Sequence, residues 1–94
     1  MTTYYMFGTY NCGAVNNISA SRTDKCAKLI EKYGGEVILM HALLGEYDLV
    51  FITNFPDNET AMKTSIALNL MTDISFSTYP AITVTKFDEM VADL

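Results

Sequence analysis

The chain has 94 residues, of which 50% are hydrophobic and 18% are charged, and its formal net charge is −5. This length is typical of one domain with its own core, and we treat residues 1–94 as a single domain. The chain has only six basic residues, and they are dispersed rather than clustered. Nucleic-acid binding normally requires clustered basic residues that neutralise the phosphate backbone, so this pattern argues against it. No apolar run approaches the roughly 18–20 residues of a transmembrane helix, and no signal peptide is visible. We therefore expect a cytoplasmic protein that binds neither nucleic acid nor membrane.

The first third of the chain predicts a strand followed by a helix. Aromatic residues dominate Tyr4–Tyr10, a composition typical of a strand. After a loop rich in Gly and Asn, Ser21 and Asp24 have the spacing of a helix start. Apolar residues then recur at helical spacing, at Cys26, Leu29, Ile30 and Tyr33. Gly34-Gly35 ends the predicted helix, because glycine accepts the left-handed conformation that commonly follows a helix.

The middle of the chain predicts a β-hairpin. Val37–Leu44 is hydrophobic apart from His41, Leu49–Ile52 is fully apolar, and a tight Gly45-Glu46 turn joins the two runs. Strand alternation places Val37, Leu39 and Leu43 on one face and Ile38, Met40, Ala42 and Leu44 on the other. Both faces of the predicted hairpin are therefore apolar.

The last third predicts a second helix, a strand and a short terminal helix. Asp57 follows Pro56 and is a good N-cap for the second helix. The last strand is predicted over Ser75–Thr85, with Pro80 favouring an edge position or a bulge because proline donates no hydrogen bond to a sheet. A short helix over Asp88–Leu94 completes the prediction.

The predicted order, β-α-β-β-α-β, is the α+β ferredoxin-like plan, with a four-stranded antiparallel sheet and two helices on one face. Nothing in the chain is left to cover the other face, and an apolar face of that size is unusual on a monomer. A second copy packed on it would give a dimeric α/β barrel. We therefore expect self-association, as a homodimer or higher oligomer, through the sheet face, with Met40 and Leu44 in the contact.

The hairpin turn and its flanks resemble a known family. Gly45-Glu46-Tyr47-Asp48 matches the Gly-Tyr-Asp signature of the GYD domain family in its common form G-E-Y-D. Weaker matches are Arg22, Gly34-Gly35 and Pro56-Asp57. The resemblance extends from Tyr4 to about Glu89. It implies a ferredoxin-like, dimeric α/β-barrel fold, in a family whose members mostly have no assigned function.

Four residues are candidates for a ligand-binding site. His41 is the only histidine and has the near-neutral pKa of a proton-transfer group, although a structural histidine is the favoured interpretation. Tyr47 and Asp48 begin the third strand, so their side chains should point to opposite faces. Asp48 is expected to accept backbone N–H bonds in the turn. Arg22 can clamp a carboxylate, the alternative being a solvated or dimer-bridging arginine.

The sequence predicts no metal site and no cofactor. One histidine and two distant cysteines, Cys12 and Cys26, do not form a ligand set, and both cysteines are expected to be free thiols. Cys12, in the loop, is the more reactive candidate.

Three functions remain open. The leading hypothesis is a homo-oligomeric domain that binds a small organic ligand in a cavity of some 300 Å³ or more, near His41 and Tyr47. The alternative is a cofactor-free oxygenase or isomerase, with His41 as the base and Tyr47 or Arg22 stabilising the anion. The third is an assembly module with no pocket.

Overall fold

The structure, a computed structural model, describes all residues 1–94 and contains four strands and three α-helices. In chain order these are β1 (Thr2–Tyr10), α1 (Ala20–Lys32), β2 (Glu36–Ala42), β3 (Leu49–Phe55), α2 (Asn58–Thr72), β4 (Ile74–Ala81) and α3 (Val84–Val91). A short 3-10 helix, Ala14–Asn17, precedes α1. The strands form one antiparallel sheet in the order β2-β3-β1-β4, which confirms the ferredoxin-like plan. None of the helices has the length and apolar character needed to cross a membrane.

Helices α1 and α2 cover one face of the sheet, and the core lies between them and that face. The buried core residues are Tyr4, Met6, Cys26, Ile30, Phe51, Phe55, Ala61 and Leu68. Residues paired across neighbouring strands share a face, so the register identifies the other side of the sheet. This open face carries Tyr5, Phe7, Leu39, His41, Val50, Ile52, Ser77 and Tyr79. Helices α1 and α2 lie on the opposite side of the sheet, and α3 has no buried residue.

A β-bulge in β2 reverses the predicted alternation of the hairpin. The register shifts between Val37 and Leu39, which leaves Ile38 without a partner. Val37 and Met40 therefore both lie on the helix side, where they pack against the core. Leu39 is on the open face instead. The expectation that Met40 contributes to a sheet-face contact is wrong for this reason, because an extra residue in one strand changes which face the following side chains occupy.

Local hydrogen bonds determine where α1 begins and where it ends. The N-cap is Ser19, whose Oγ accepts from the Arg22 backbone N–H at 3.0 Å, so the predicted start at Ser21 is two residues late. At the other end Gly34 is left-handed at φ +85°. Its N–H donates to the Glu31 carbonyl and that of Gly35 to the Ile30 carbonyl, each at 3.0 Å, which is a Schellman motif and confirms the predicted end.

The C-terminal third matches the prediction except in its last boundary. Asp57 caps α2 by accepting from the Thr60 N–H at 2.7 Å, and hydrogen bonding from the Thr60 side chain, with a smaller contribution from this backbone bond, lowers the pKa of the Asp57 carboxyl. Strand β4 is at the sheet edge, as Pro80 predicted. It ends at Ala81 rather than Thr85, because the Thr83 hydroxyl accepts from the Lys86 N–H at 3.1 Å and begins α3 there. The terminal helix therefore begins before Asp88.

Candidate functional site

The connection between β2 and β3 is longer than the tight turn predicted from the sequence. Strand pairing stops where Ala42 faces Leu49, and residues 43–48 form the loop. The Leu43 N–H donates to the Asp48 carbonyl at 2.8 Å and closes the loop. Gly45 has φ +151°, which a residue with a Cβ adopts only under strain. The glycine of the signature therefore has a conformational role.

Asp48 fastens this loop to the neighbouring strand β1. Its Oδ2 accepts from the Tyr10 backbone N–H at 2.8 Å, and its own N–H donates to the Gly8 carbonyl at 2.8 Å. Asp48 thus continues the pairing of β3 with β1 beyond the last ladder position. The expected backbone acceptor role is present, but its donor belongs to β1 rather than to the turn.

Tyr47 lies in the loop just before β3 and packs on the open face. Its ring centroid is 5.0 Å from that of Phe7, whose ring also contacts Tyr5 at 6.4 Å and Tyr79 at 6.1 Å. The Tyr79 hydroxyl, with the Glu46 carboxylate, raises the pKa of Tyr47, so the phenol is neutral at physiological pH. Tyr47 is therefore part of an aromatic cluster on the uncovered side of the sheet.

His41 is exposed on the same open face, in a row with Val50 and Phe7. The imidazole makes no hydrogen bond and no ion pair within the chain. Proton transfer by a histidine normally uses a second polar group at hydrogen-bond distance to orient the ring. This chain does not itself provide that group.

Arg22 lies on the other side of the sheet, in the first turn of α1. Its guanidinium stacks over the Tyr10 ring, with Cζ 5.3 Å from the ring centroid, and donates through Nη1 to the Ala14 carbonyl. The only ion pair in the chain joins Lys28 to Asp24 at 2.9 Å, so Arg22 has no carboxylate partner. The four predicted site residues are therefore divided, with His41 and Tyr47 on the open face and Arg22 across the sheet from them.

A pocket opens between α1 and the sheet, beside Arg22. We call it the α1 pocket; its volume is about 200 Å³, less than the 300 Å³ expected for a ligand site. Eight of its eleven lining residues are hydrophobic, among them Tyr10, Ile18, Cys26, Met40, Leu49 and Phe51. His41 is also one of the lining residues, although the register places it in the open-face row, so the pocket brings His41 and Arg22 to the same site. Burial raises the pKa of the Cys26 thiol, which therefore stays protonated at neutral pH.

Sequence reasoning identified Arg22 and His41 as site residues but missed the rest of this pocket. Tyr10, Cys26 and Met40 come from a strand end, a helix and an edge strand, and no local spacing links them. The one available signal was the cysteine on the inner face of α1, which was interpreted as core. No group of three or more His, Cys, Asp or Glu side chains has an arrangement that could hold a metal ion.

A family model described as GYD domain matches residues 4–91. The chain belongs to the GYD domain family. The sequence resemblance is thereby confirmed over almost the whole chain, and the signature residues of this GYD domain are those of the loop that Asp48 holds against β1.

Solved structures share the fold of this GYD domain at low sequence identity. One is the Mycobacterium tuberculosis leucine response regulatory protein LrpA, with a TM-score of 0.58 and 11% identity over 87% of this chain and 51% of that one. Another is a transcriptional regulator, with a TM-score of 0.58 and 11% identity over 88% of this chain and 51% of that one. The GYD domain thus spans about half the length of these structures. A comparison with curated proteins finds no significant match.

Proposed function

We propose that this GYD domain forms a homodimer through the open face and binds a small organic molecule in the α1 pocket. The observation that carries the binding function is the pocket itself, which combines a mostly apolar lining with one fixed guanidinium. Ligand sites in proteins typically join an apolar lining to a few placed polar groups. The volume of about 200 Å³ suits a molecule of a few carbon atoms rather than a large cofactor.

The similar structures agree with this proposal at the level of fold. The M. tuberculosis protein is described as a leucine response regulatory protein, so this fold occurs within a protein that responds to a small organic molecule. A shared fold does not transfer a ligand from one protein to another, and the argument for binding here depends on the pocket.

The two free thiols, Cys12 and Cys26, support the expected cytoplasmic location, because disulfides are rare in that compartment.

Dimerisation is supported by how little of the chain is buried. Only 16 of 94 residues are buried, although half of the composition is hydrophobic. The accessible surface of 6120 Å² exceeds the roughly 5,400 Å² expected for a compact monomer of this mass. On the open face Tyr79 is 51% exposed and Tyr5 is 38% exposed. Two such faces packed together would bury the aromatic cluster around Phe7.

Size-exclusion chromatography with light scattering tests the dimer. We expect wild-type protein at twice the chain mass and Tyr79→Asp as a folded monomer, because a carboxylate buried in an apolar contact lacks a partner. Ile66→Asp is the matched control, since Ile66 is 63% exposed on α2, away from the sheet. This control should remain dimeric. A dimer that survives Tyr79→Asp and is lost in Ile66→Asp would place the interface on the helices instead.

A fragment screen by ligand-observed NMR tests the binding function. Ala42 lies at the pocket and is exposed, so Ala42→Phe should obstruct the α1 pocket without disturbing the core. We expect small apolar fragments that bind the wild type to lose binding in Ala42→Phe, with circular dichroism unchanged. Fragments that bind both proteins equally, or the absence of any binding fragment, would contradict the proposal.

A further inference from the structure

We infer that the α1 pocket takes a small monocarboxylate, with its carboxylate on Arg22 and its short apolar chain toward Cys26 and Met40. This inference rests on the proposed function and specifies its ligand class. The ligand class is inferred from the charged residues in the pocket lining as well as from the shape of the pocket.

The lining of the pocket contains a basic residue and no acidic one, in a chain whose net charge is negative. Neither the α1 pocket nor the polar groove next to it, which contains Ser19 and Lys25, has an acidic residue in its lining. Arg22 lines both. The chain has eleven acidic residues, yet none pairs with Arg22. The anionic partner of this guanidinium is therefore absent from the chain itself, and an acidic ligand would supply it.

The guanidinium is held in place before any ligand arrives. The cation–π contact with the Tyr10 ring, at 5.3 Å from Cζ to the ring centroid, and the bond from Nη1 to the Ala14 carbonyl together restrict the movement of the guanidinium. A guanidinium has five N–H donors, so one carbonyl leaves the others free for a planar, bidentate acceptor. A carboxylate has that geometry. Little rotamer freedom of Arg22 is then lost on binding.

The remainder of the lining requires an apolar chain on the ligand. Cys26 is buried and protonated, and with Met40 and Phe51 it gives the pocket an apolar interior. A second charged group on the ligand would lose its hydration there without gaining a partner. An amine would also meet Arg22 as a like charge. These conditions favour a monocarboxylate over an amino acid, an amine or a dicarboxylate.

Three probes of equal chain length separate the head groups: hexanoate, hexan-1-ol and hexylamine. Each is titrated into the dimeric wild-type protein and followed by two-dimensional amide NMR. We expect hexanoate to shift the amides of Thr23 and Met40. It should bind about tenfold or more tightly than the alcohol, because a charge-assisted hydrogen bond to a guanidinium is roughly twice as strong as a neutral one. Hexylamine should not bind detectably.

Matched variants assign the effect to Arg22. Arg22→Met removes the charge and keeps an apolar stem, and should weaken hexanoate about tenfold while leaving hexan-1-ol unchanged. Lys25→Met makes the same charge change one helical turn away, on the polar groove, and should retain hexanoate binding. Arg22→Lys should lie between wild type and Arg22→Met, since an ammonium cannot form the bidentate pair.

The outcomes separate this inference from the function on which it rests. Equal affinity for hexanoate and hexan-1-ol in wild type and Arg22→Met, with both lost in Ala42→Phe, would overturn the carboxylate inference and leave the binding function in place. Equal weakening of hexanoate by Arg22→Met and Lys25→Met would also overturn it, since only overall charge would then matter. No binding by hexanoate, hexan-1-ol or any fragment would overturn both.

Discussion

The carboxylate of Asp48 performs a task that its position in the family signature does not reveal. It accepts the Tyr10 N–H at the end of β1, where Tyr10 also forms the base on which Arg22 stacks. Removing this acceptor leaves a partly buried backbone donor unpaired, which costs about 1–3 kcal/mol. Asp48 therefore connects the signature loop to one wall of the α1 pocket.

We expect Asp48→Ala to lower the free energy of unfolding by about 1–2 kcal/mol, measured by urea denaturation followed by circular dichroism. Asp48→Asn should lose less, because the amide oxygen can still accept the bond. Asp88→Ala, on exposed α3, serves as the control and should be nearly neutral. Equal stabilities for Asp48→Ala and Asp88→Ala would refute this role of Asp48.

Tyr4 should make the stability of the protein sensitive to alkaline pH. Tyr4 is 2% exposed, and its burial, with a smaller contribution from the Asp57 carboxylate, raises the pKa of the phenol. A pKa raised in the folded state stabilises the fold below the unfolded value of about 10, and this contribution is lost as the pH rises through the folded value. The free energy of unfolding should therefore fall above about pH 10.

Tyr4→Phe isolates this effect. The variant loses the hydrogen bond from the Tyr4 hydroxyl to Asn58, so at pH 8 it should be about 1 kcal/mol less stable than wild type. Above pH 10 the gap should close, because only the wild type has a phenol to ionise at this position. Urea unfolding at both pH values measures the gap, and a constant difference would contradict the assignment.

At the scale of elements, the helix boundaries that could be predicted were those that depend on a few adjacent residues. The N-cap at Asp57 and the helix end at Gly34-Gly35 each depend on a local backbone pattern. The start of α1 was misplaced because Ser19 and Ser21 are equally good caps in sequence. The bulge at Ile38 was not predictable, because it depends on how β2 pairs with β3 across the sheet.

Gly35 provides a test of how tightly α1 and the sheet approach each other. A Cβ at this position would lie 2.5 Å from Cε1 of Phe55 and 2.9 Å from Cγ2 of Ile30, both core side chains. Gly35→Ala should therefore destabilise the protein by about 1–3 kcal/mol, measured by urea denaturation. Phe55→Leu makes room for the added methyl group. In the double variant the cost of Gly35→Ala should shrink, and purely additive effects would show that the strain arises elsewhere.

At the scale of the whole molecule, the fold could be predicted but the pocket could not. The order of strands and helices follows from periodicity and turns along the chain. The α1 pocket combines Tyr10, Arg22 and Met40, whose proximity depends on the packing of α1 against the end of the sheet. The presence of His41 in the same lining likewise depends on tertiary packing, because His41 belongs to the edge strand β2 and Arg22 to α1.

The shape of the subunit leads to a prediction about its thermal unfolding. The radius of gyration is 14.3 Å, against about 12 Å for a compact domain of this length, and the longest dimension is 50 Å. Apolar side chains of α3, including Val84 and Met90 at 73% and 62% exposed, add to those of the open face. So little burial gives an isolated subunit a small stability, to which the partner would add by mass action.

We therefore expect the Tm of the wild-type protein to rise by about 5 °C or more when its concentration increases a hundredfold, because the proposed dimerisation would stabilise the folded state by mass action. Tyr79→Asp should have a lower Tm that is independent of concentration, since it unfolds as a monomer. Ile66→Asp should keep the wild-type slope. Differential scanning calorimetry across that concentration range measures all three. A concentration-independent Tm for the wild type would mean that the subunit is stable alone, and that its open face meets solvent or a different partner.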